Sequence, residues 1–428
     1  MKYITSPTPL PTSMAGQSSE EGMNIMNNSD IAYIIFCTIF VFFMTPGLAI
    51  FYGGLVRRKN VIGIMEQSFI SIGIVSLLWA ICGFSIAYGG DVSGIIGNTS
   101  FLFMKGVGVF AHNSITPNIP LVLFFVFQLA FAIITPALIS GAIAERASFK
   151  AYCLFIAFWM VLVYAPIAHW VWGGGFLAEM GLMDFAGGLV IHLSAGISSL
   201  AAVLIVGARE KRDYTPCNMM YVAVGTGILW AGWFAFNGGS ALAANGTAAL
   251  AVCNTLLASA AGSLSWLLFS YADSKRVTLL DTLMGGVAGL IIITPMAGFV
   301  QPFYSLPAGL LGGFVCNMAV RIRSNLHIDD TLDVFSLHGV GGACGVILTG
   351  VFADPALAPK GGAIYGNAAQ LTVQALGVLS VLAYSVLATI IILKFISIFV
   401  PLRLTLNEEN RGLDESIHGE LLYYKNKK

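Results

Sequence analysis

Two histidines lie within glycine-rich apolar stretches in which few other side chains can ionise. His192 lies in DFAGGLVIHLSAG (184–196) and His338 in DVFSLHGVGGACG (333–345), each after an aspartate and four residues before a glycine. Imidazole titrates near neutral pH and can both donate and accept a hydrogen bond. Ionisable groups at membrane depth are costly and usually face a bundle interior or a solute path. We therefore predict a paired polar element in a transport pathway. The alternative is a pair of neutral histidines that hold core helices together.

The composition indicates a membrane protein. The chain has 428 residues, of which 57% are hydrophobic and only 10% charged, unlike an ordinary soluble domain. A helix needs about 20 apolar residues to cross the hydrocarbon core, and such stretches recur along the chain. They are far too long for barrel strands, so we predict an all-α polytopic membrane protein. Its eleven predicted transmembrane helices cover residues 31–54, 62–88, 120–143, 149–170, 185–208, 218–241, 247–271, 280–300, 305–322, 332–353 and 371–400.

The basic residues predict an orientation in the membrane. The net charge is zero, but alternate short loops carry most of the lysine and arginine: Arg57, Arg58, Lys59, Arg146, Lys150, Arg209, Lys211, Arg212, Lys275, Arg276, Arg321 and Arg323. The loops on the other side offer only Lys2, Lys105 and Lys360. By the positive-inside rule the first set is cytoplasmic. We therefore expect the N-terminus outside and the C-terminus inside, as an odd number of spans requires.

The two ends of the chain differ from the apolar region 30–400, which we assign to the transporter domain. Residues 1–29 are polar and lack the apolar core of a signal peptide, so we predict a disordered outer tail. Residues 401–428 are polar again and form a predicted cytoplasmic tail. The cysteines show no C-x-x-C spacing, which favours packed free thiols over disulfides or a metal site: Cys37, Cys82, Cys153, Cys217, Cys253, Cys316 and Cys344.

Internal sequence similarity predicts a structural repeat. GLAIFYGG (47–54) ends predicted span 1, and GWFAFNGG (232–239) ends predicted span 6. The two histidine segments fall in spans 5 and 10. We therefore predict that spans 1–5 and 6–10 are five-helix repeats, followed by a long eleventh helix. Because five is odd, the second copy must be inverted, and solute pathways form between such repeats.

The ordered set of motifs resembles the ammonium transporters of the Amt/Mep/Rh family. The resemblance runs from about residue 31 to 420 and rests on PGLAIFYGGLVRRKN (46–60), GAIAERASF (141–149), PIAHWVWGGG (166–175), DFAGG (184–188), GWFAFNGGSA (232–241), DVFSLHGV (333–340) and RGLDESIHGE (411–420). It implies a homotrimer in the lipid bilayer, each subunit having its own narrow hydrophobic pore, with no cofactor.

The resemblance also implies roles for two pairs of pore residues. His192 and His338 would meet as a twin-histidine pair that lines the pore. Phe131 and Phe236 would stack as a gate at its outer end, which blocks hydrated ions because it offers no replacement for lost water ligands. From pattern alone, a phenylalanine in a membrane helix is more often part of the lipid-facing or core packing.

Three residues match the family's outer ammonium site, namely Trp172, Ser240 and again Phe131. Ammonium can lie over an aromatic face and donate to a hydroxyl, so the chemistry is reasonable. Without the resemblance, Trp172 reads as an interfacial anchor. Its presence favours the Amt/Mep branch over the Rh branch. Asp184 reads first as a helix N-cap, and the resemblance implies that it also supports the ammonium site and deprotonation.

Other polar and aromatic residues have plainer predictions. Three aspartates, Asp329, Asp330 and Asp333, read as caps at an inner helix end. Glu66 reads as a snorkelling carboxylate, and His169 has no assigned role. Phe51 and Tyr52 are candidates for the inner vestibule.

Depth arithmetic does not bring the histidines together. His192 lies eight residues, about 12 Å, from Asp184, and His338 lies five residues, about 8 Å, from Asp333. A core about 30 Å thick would then leave the two side chains about 10 Å apart. Contact therefore requires that both span ends lie within the membrane.

Taken together, the residues and the resemblance predict ammonium uptake across the bacterial cytoplasmic membrane. Ammonium would be recruited outside and deprotonated near the gate, because a bare cation in an apolar pore has a large desolvation cost. Ammonia would then pass the histidine pair, and the proton would travel separately or through it. The alternatives are an ammonium sensor with the same fold and a passive channel for ammonia or carbon dioxide.

No nucleotide motif, metal spacing or catalytic triad supports an enzyme, and we expect no nucleic-acid partner. The resemblance implies instead that the tail 401–428 packs on the cytoplasmic face, where PII-type signal proteins dock. From composition alone, this tail is a solvated terminus.

Overall fold

The structure is a computed structural model and describes residues 26–423. The predicted N-terminal tail, 1–29, falls outside the described residues up to residue 25, and its last two residues already belong to the first helix. The final five residues of the C-terminal segment also lie outside them.

Eleven helices are long and apolar enough to cross a membrane within this part of the chain, which confirms the predicted number. We number them as spans 1–11: Asn28–Leu55, Arg58–Tyr88, Leu121–Ser140, Phe149–Glu179, Gly188–Val206, Met219–Gly239, Gly246–Ser274, Leu279–Met296, Pro302–Asn325, Phe335–Phe352 and Ala369–Ser397. We call the face at which span 1 begins the N-face, and the opposite face, at which span 11 ends, the C-face.

Several spans are not uniform α-helices. Span 4 is broken by a turn after Val171 and resumes at Phe176. Short 3-10 turns occur at Arg58–Asn60, Leu102–Met104, Thr294–Met296 and Ala363–Tyr365. π-helical turns occur within the spans at Trp79–Gly83, Met160–Tyr164, Gly188–Leu193 and Phe335–Val340. The last two carry the paired histidines, and π turns in α-helices are frequent at functional sites.

Further short elements lie outside the spans on each face. On the N-face, strands β1 (Asp91–Val92) and β2 (Ile96–Gly97) pair antiparallel as a small hairpin. On the C-face, the chain after span 11 forms a helix at Leu406–Arg411 and a π turn at Asp414–His418.

Glycines let the two repeats approach closely at their centre. A Cβ at Gly225 of span 6 would lie 2.3 Å from the backbone nitrogen of Phe51 in span 1. A Cβ at Gly196 of span 5 would lie 2.0 Å from the nitrogen of Gly339 in span 10. Small residues permit such backbone contact in lipid, where apolar side chains supply no hydrophobic drive for association. Spans 5 and 10 therefore cross at the middle of the bundle.

Span 11 packs outside the inverted repeats, as predicted. Its Thr389 hydroxyl donates to Ser198 of span 5 at 2.9 Å, and Tyr384 donates to the carbonyl of Leu162 in span 4 at 2.6 Å. Its other face carries exposed leucines and isoleucines such as Leu379 and Ile391. Gln374 of the same helix donates to the carbonyl of Val346 in span 10 at 3.0 Å. The helix thus packs on both repeats and presents its remaining apolar surface to lipid.

Candidate functional site

The structure brings the two histidines into contact. The Nδ1 atoms of His192 and His338 are 3.2 Å apart, and their ring centroids are separated by 5.2 Å. Between two imidazoles one nitrogen must donate and the other accept, so the pair shares a single N–H at this contact. Both side chains are buried. The Nε2 of His192 has no hydrogen-bond partner among residues 26–423 and is available to a guest molecule.

The separation of about 10 Å expected from depth counting is wrong because both helices begin inside the bundle. Span 5 starts at Gly188 and span 10 at Phe335, each three residues later than predicted. Each histidine therefore lies only about one turn from its helix start. Deep helix starts leave backbone amides unpaired at membrane depth, where they need an internal acceptor.

Asp184 supplies that acceptor for span 5. Its carboxylate accepts from the amides of Gly187, Gly188 and Leu189 at 2.7–2.8 Å. Gly187 has φ +116°, a conformation that a side chain would strain, and this lets the chain wrap around the carboxylate. Burial raises the pKa of Asp184, and the three amides oppose the shift. The carboxylate thus fixes the start of the turn that carries His192.

Asp330 has the same place at the start of span 10. Its Oδ2 accepts from the amide of Phe335 at 2.7 Å. Burial raises the pKa of Asp330 against the nearby charge of Arg323. A buried carboxylate at a helix N-terminus also interacts favourably with the helix dipole. Each histidine-bearing turn therefore has its own aspartate, one from each face of the bundle.

The other two aspartates of this group are not caps, which corrects the prediction. Asp329 binds Arg209 through both oxygens, at 2.8 and 3.0 Å. Burial raises the pKa of Asp329, but the hydrogen bonds from Arg209 outweigh it, so the pKa lies well below its usual range. Asp333 instead pairs with Arg323 at 2.8 Å, and burial raises its pKa to about 7 against the opposing effect of that arginine. Partners distant in sequence decide both roles.

A row of aromatic rings leads from the histidines to the N-face. The ring of Phe236 stacks on His192 at a centroid distance of 6.2 Å with 16° between the planes. Phe131 lies against Phe236 at 4.4 Å, and both phenylalanines are 1% exposed. Trp172 contacts Phe131 edge-on at 6.5 Å. The predicted gate and recruitment residues therefore belong to one continuous group.

Hydrogen bonds fix the N-face members of this row. The indole Nε1 of Trp172 donates to the carbonyl of Asp184 at 2.9 Å, which links the outer aromatic to the cap of span 5. The Ser240 hydroxyl donates to the carbonyl of Phe236 at 2.8 Å. Because its proton is engaged there, the Ser240 oxygen can present a lone pair to an N–H donor.

Trp233 is a residue of the cavity lining that the sequence analysis missed. Its ring stacks on His192 at 5.5 Å, and its Nε1 donates to the Thr294 hydroxyl at 2.9 Å. The available signal was its place in the repeated string that ends span 6. The rings of Trp233 and Phe236 are 5.8 Å apart, and both pack against the imidazole of His192.

A narrow cavity contains the histidine pair. Its free volume is about 20 Å³, which suits a water-sized molecule. Phe236 lies at one end and Phe51 and Tyr52 towards the C-face, among apolar side chains that include Met44, Leu48, Ile134, Leu229, Val287 and Leu337. The Tyr52 hydroxyl donates to the carbonyl of Leu138 at 3.0 Å. The imidazole nitrogens and the lone pairs of the Tyr52 oxygen are therefore polar groups that this lining offers to a guest.

The remaining candidates lie away from the cavity. Glu66 is half-buried on span 2 and gains no role from its position. His169 is completely buried one turn before Trp172. Among residues 26–423, no group of three or more histidine, cysteine, aspartate or glutamate side chains is arranged to hold a metal ion.

The described part of the C-terminal segment packs on the C-face. Glu409 pairs with Arg403 at 2.7 Å and accepts from the amide of Glu210 at 2.7 Å. Asp414 accepts from the amide of Gly63 at 2.9 Å. The segment is therefore held against the start of span 2 and the loop that follows span 5.

Comparison with known proteins agrees with this architecture. The ammonium transporter of Bacillus subtilis is 43% identical over 402 residues, covering 93% of this chain and 99% of that protein. Ammonium transporter Amt1 of Archaeoglobus fulgidus is 40% identical over 401 residues, covering 93% and 100%. The crystal structure of Saccharomyces cerevisiae Mep2 is similar with a TM-score of 0.85 at 34% identity, over 91% of this chain and 90% of that one.

Two further findings bear on the family. A structure named Sensor Amt Protein is similar with a TM-score of 0.85 at 31% identity, over 92% of this chain and 98% of that one. A model of the Ammonium Transporter Family matches residues 32–423. The resemblance noted in the sequence is thereby confirmed: this chain belongs to the ammonium transporter family, a family of membrane transporters and not of enzymes.

Proposed function

We propose that this protein takes up ammonium at the N-face and passes ammonia through the cavity that contains His192 and His338. The observation that carries the proposal is the unbroken row from Trp172 through Phe131 and Phe236 to the two imidazoles. It joins a site with cation-binding chemistry to a narrow apolar cavity. The two kinds of environment suit the charged and the neutral form of one small solute.

Recruitment would occur at Trp172, Phe131 and Ser240. An ammonium ion over the indole ring gains a cation–π attraction of about 0.5–2 kcal/mol and can donate an N–H to the Ser240 oxygen. Asp184 supports this site indirectly. Its carboxylate oxygens accept hydrogen bonds from backbone amides, whereas its backbone carbonyl accepts one from the Trp172 indole.

Deprotonation would precede passage between the phenylalanine rings. The Phe131–Phe236 contact offers no oxygen or nitrogen ligand to replace the water around a cation, so an ammonium ion there has a large desolvation cost. Neutral ammonia has a much smaller one. Beyond the gate it could hydrogen-bond to the imidazole nitrogens of the cavity.

The shared N–H of the histidine pair also offers a route for the released proton. A proton that binds one ring at Nε2 allows that ring to pass its Nδ1 proton to the Nδ1 of the partner. The partner then releases its own Nε2 proton on the far side. One proton enters and one leaves, and the pair ends with its tautomers exchanged, so net charge crosses.

The orientation follows from the loops. The C-face carries Arg57, Arg146, Arg209 and the packed C-terminal segment, and such basic loops are cytoplasmic by the positive-inside rule. We infer that the N-face is the outer side of a bacterial cytoplasmic membrane. We also propose a homotrimer with one pathway per subunit.

A PII-type signal protein is the proposed partner at the C-face. Docking on a charged surface depends on salt, and contacts of Glu409 and Asp414 already hold the C-terminal segment in place there. Deleting residues 408–428 should reduce transport and PII-type binding but leave ammonium recruitment at the N-face intact. Full transport with undiminished binding would show that the segment has no such role.

A sensor remains the second candidate, because the structure named Sensor Amt Protein has the same fold at 31% identity. A passive gas channel is the third. One experiment separates electrogenic transport from both alternatives: a rapid ammonium jump on purified protein in a supported bilayer. Electrogenic transport predicts a transient current that saturates with ammonium, whereas a sensor and a neutral gas channel both predict no translocation current.

A further inference from the structure

Both ring nitrogens of His169 have hydrogen-bond partners. The residue is completely buried at the N-face end of span 4. Its Nδ1 lies 3.1 Å from the carbonyl oxygen of Ala87, and its Nε2 lies 2.8 Å from Oδ1 of Asp91. Because a carbonyl only accepts, Nδ1 donates to Ala87, and Nε2 shares a proton with the carboxyl group of Asp91.

Asp91 is the partner that the hairpin contributes. It begins strand β1, and its side chain is 34% exposed. Burial raises the pKa of Asp91, but hydrogen bonds from His169 and from the Gly94 amide together outweigh it, so the pKa lies below its usual value. The two side chains therefore form a short hydrogen-bonded pair that joins the hairpin to span 4.

The His169 side of this pair lies directly beneath the turn that follows Trp172. The amides of Gly173 and Gly175 donate to the His169 carbonyl at 3.0 and 2.9 Å. A Cβ at Gly173 would lie 2.7 Å from Nδ1 of the ring, and one at Gly175 would lie 3.0 Å from its Cδ2. The backbone of this turn thus packs directly on the imidazole, which requires glycine at positions 173 and 175.

The Asp91 side reaches the same turn from the hairpin. Both oxygens of Asp91 accept from the Gly94 amide at 2.9–3.0 Å. The Gly94 carbonyl in turn accepts from the amide of Phe176 at 3.0 Å. The indole of Trp170 donates to the carbonyl of Ile95 at 2.7 Å. Residues on either side of Trp172 are therefore tied to the hairpin that Asp91 closes.

We propose that His169 and Asp91 form a hydrogen-bonded clasp that positions Trp172 for ammonium recruitment. The inference rests on the recruitment role proposed for Trp172. Neither clasp residue contacts the solute; both act through the backbone turn at 173–175. Because the pair is neutral as a whole, it orders the turn without adding a net positive charge beside the entry site.

The first test compares ammonium-induced currents of purified protein in proteoliposomes. His169→Ala and Asp91→Ala should each raise the half-saturating ammonium concentration about three- to tenfold and change the maximal current less. Asp91→Asn should retain most of the affinity. Its amide can donate to Nε2 of a neutral imidazole, while its oxygen still accepts from Gly94.

Matched variants separate this role from general disturbance of the N-face. Asp354 is another N-face aspartate, hydrogen-bonded to Gln301 at 2.7 Å, and Asp354→Ala should leave the half-saturating concentration unchanged. Asp91 is partly exposed, so Asp91→Ala carries the test if the buried His169→Ala variant does not fold. An Asp91→Asn variant as weak as Asp91→Ala would overturn the clasp.

A second readout follows Trp172 itself. In protein labelled with 5-fluorotryptophan, the ¹⁹F resonance missing from Trp172→Leu belongs to Trp172. Asp91→Ala and His169→Ala should shift or broaden this resonance, and Asp91→Asn should not. An unmoved resonance in both alanine variants would overturn the clasp. A moved resonance with a normal half-saturating concentration in Trp172→Leu would leave the clasp standing and refute recruitment by Trp172.

Discussion

The two turns that carry the histidines are both capped by an aspartate, but the surroundings of the two caps differ. At the N-face Asp184 caps the turn that carries His192, and at the C-face Asp330 caps the turn that carries His338. The hydrogen-bond donors to the Asp184 carboxylate are backbone amides. Arg323 and Arg146, in contrast, lie near Asp330 and lower its pKa in opposition to burial.

The ion pairs of the C-face extend well beyond the cap. Arg209 binds both Asp329 and Glu145, and Glu145 also accepts from Arg57 at 2.8 Å. Among residues 26–423, in contrast, the hydrogen-bond donors to the Asp184 carboxylate are four backbone amides. Both repeats thus contain a capped histidine-bearing turn, whereas the ion-paired guanidinium groups lie at the C-face cap alone among residues 26–423.

This difference shows which cap depends on distant side chains. The partners of the Asp184 carboxylate are backbone amides close to it in sequence. The Asp330 cap lies beside ion pairs in which Arg209 and Arg323 are matched by carboxylates from other parts of the chain. Substitutions in these ion pairs should therefore disturb the C-face, and substitution of Asp184 the N-face.

The largest expected effect is at the C-face. Arg209→Ala would leave Asp329 and Glu145 buried without their shared partner, which costs about 3–5 kcal/mol of unfolding free energy. Unfolding in mixed micelles measures the change. Arg411→Ala is the control on the same face, because its pair with Glu415 is exposed and should contribute below about 1 kcal/mol. Equal effects of the two substitutions would remove the proposed distinction between the ends.

The two caps give the next comparison. Asp184→Ala removes three short hydrogen bonds to amides and should cost about 2–3 kcal/mol, with loss of transport. Asp330→Ala removes one such bond and also relieves a carboxylate of burial, so we expect about 1 kcal/mol. The same unfolding assay checks both. If Asp330→Ala were the more damaging, the N-face cap would not be the stronger one.

Trp172→Leu should have a smaller effect, confined to the N-face. The substitution keeps bulk but removes the ring face and the indole N–H, so recruitment should weaken by about 0.5–2 kcal/mol. Ammonium titration of the current measures this as a higher half-saturating concentration. Unchanged saturation and unchanged discrimination against potassium would assign Trp172 to interfacial anchoring.

The last prediction is a pH dependence at the C-face. Burial raises the pKa of Asp333 to about 7, above the value near 3.9 of an unfolded aspartate. The folded state therefore binds the proton more tightly, and this stabilisation is lost as pH rises from about 4 to about 7. Asp333→Asn should gain stability relative to wild type across that window. A parallel pair of stability curves would contradict the raised pKa.

The sequence predicted the spans well because hydropathy and loop charge report directly on lipid. It could not place the starts of spans 5 and 10. In the sequence, Asp184 and Asp333 look like aspartates at a membrane edge. Depths counted from them placed the two histidines about 10 Å apart. The π turns at Gly188–Leu193 and Phe335–Val340 leave no distinct pattern of residue types either.

Roles that depend on distant partners were also out of reach. Asp329 looked like a cap because its neighbours in sequence begin a helix, but Arg209, 120 residues away, decides its role. Trp233 was not singled out and His169 had no assigned role, because their contacts with His192 and Asp91 arise only when the spans pack. The family resemblance supplied the meeting of His192 and His338, which spacing alone did not.

The central claim is that the buried histidine pair is the polar path through an apolar cavity. The most direct test is the transient current after an ammonium jump, compared between wild type and the His192→Ala/His338→Ala double variant reconstituted at equal density. We predict that wild type gives a current that saturates with ammonium, and that the folded double variant gives no proton-coupled current. An ammonium-driven current of wild-type size in the double variant would contradict the claim.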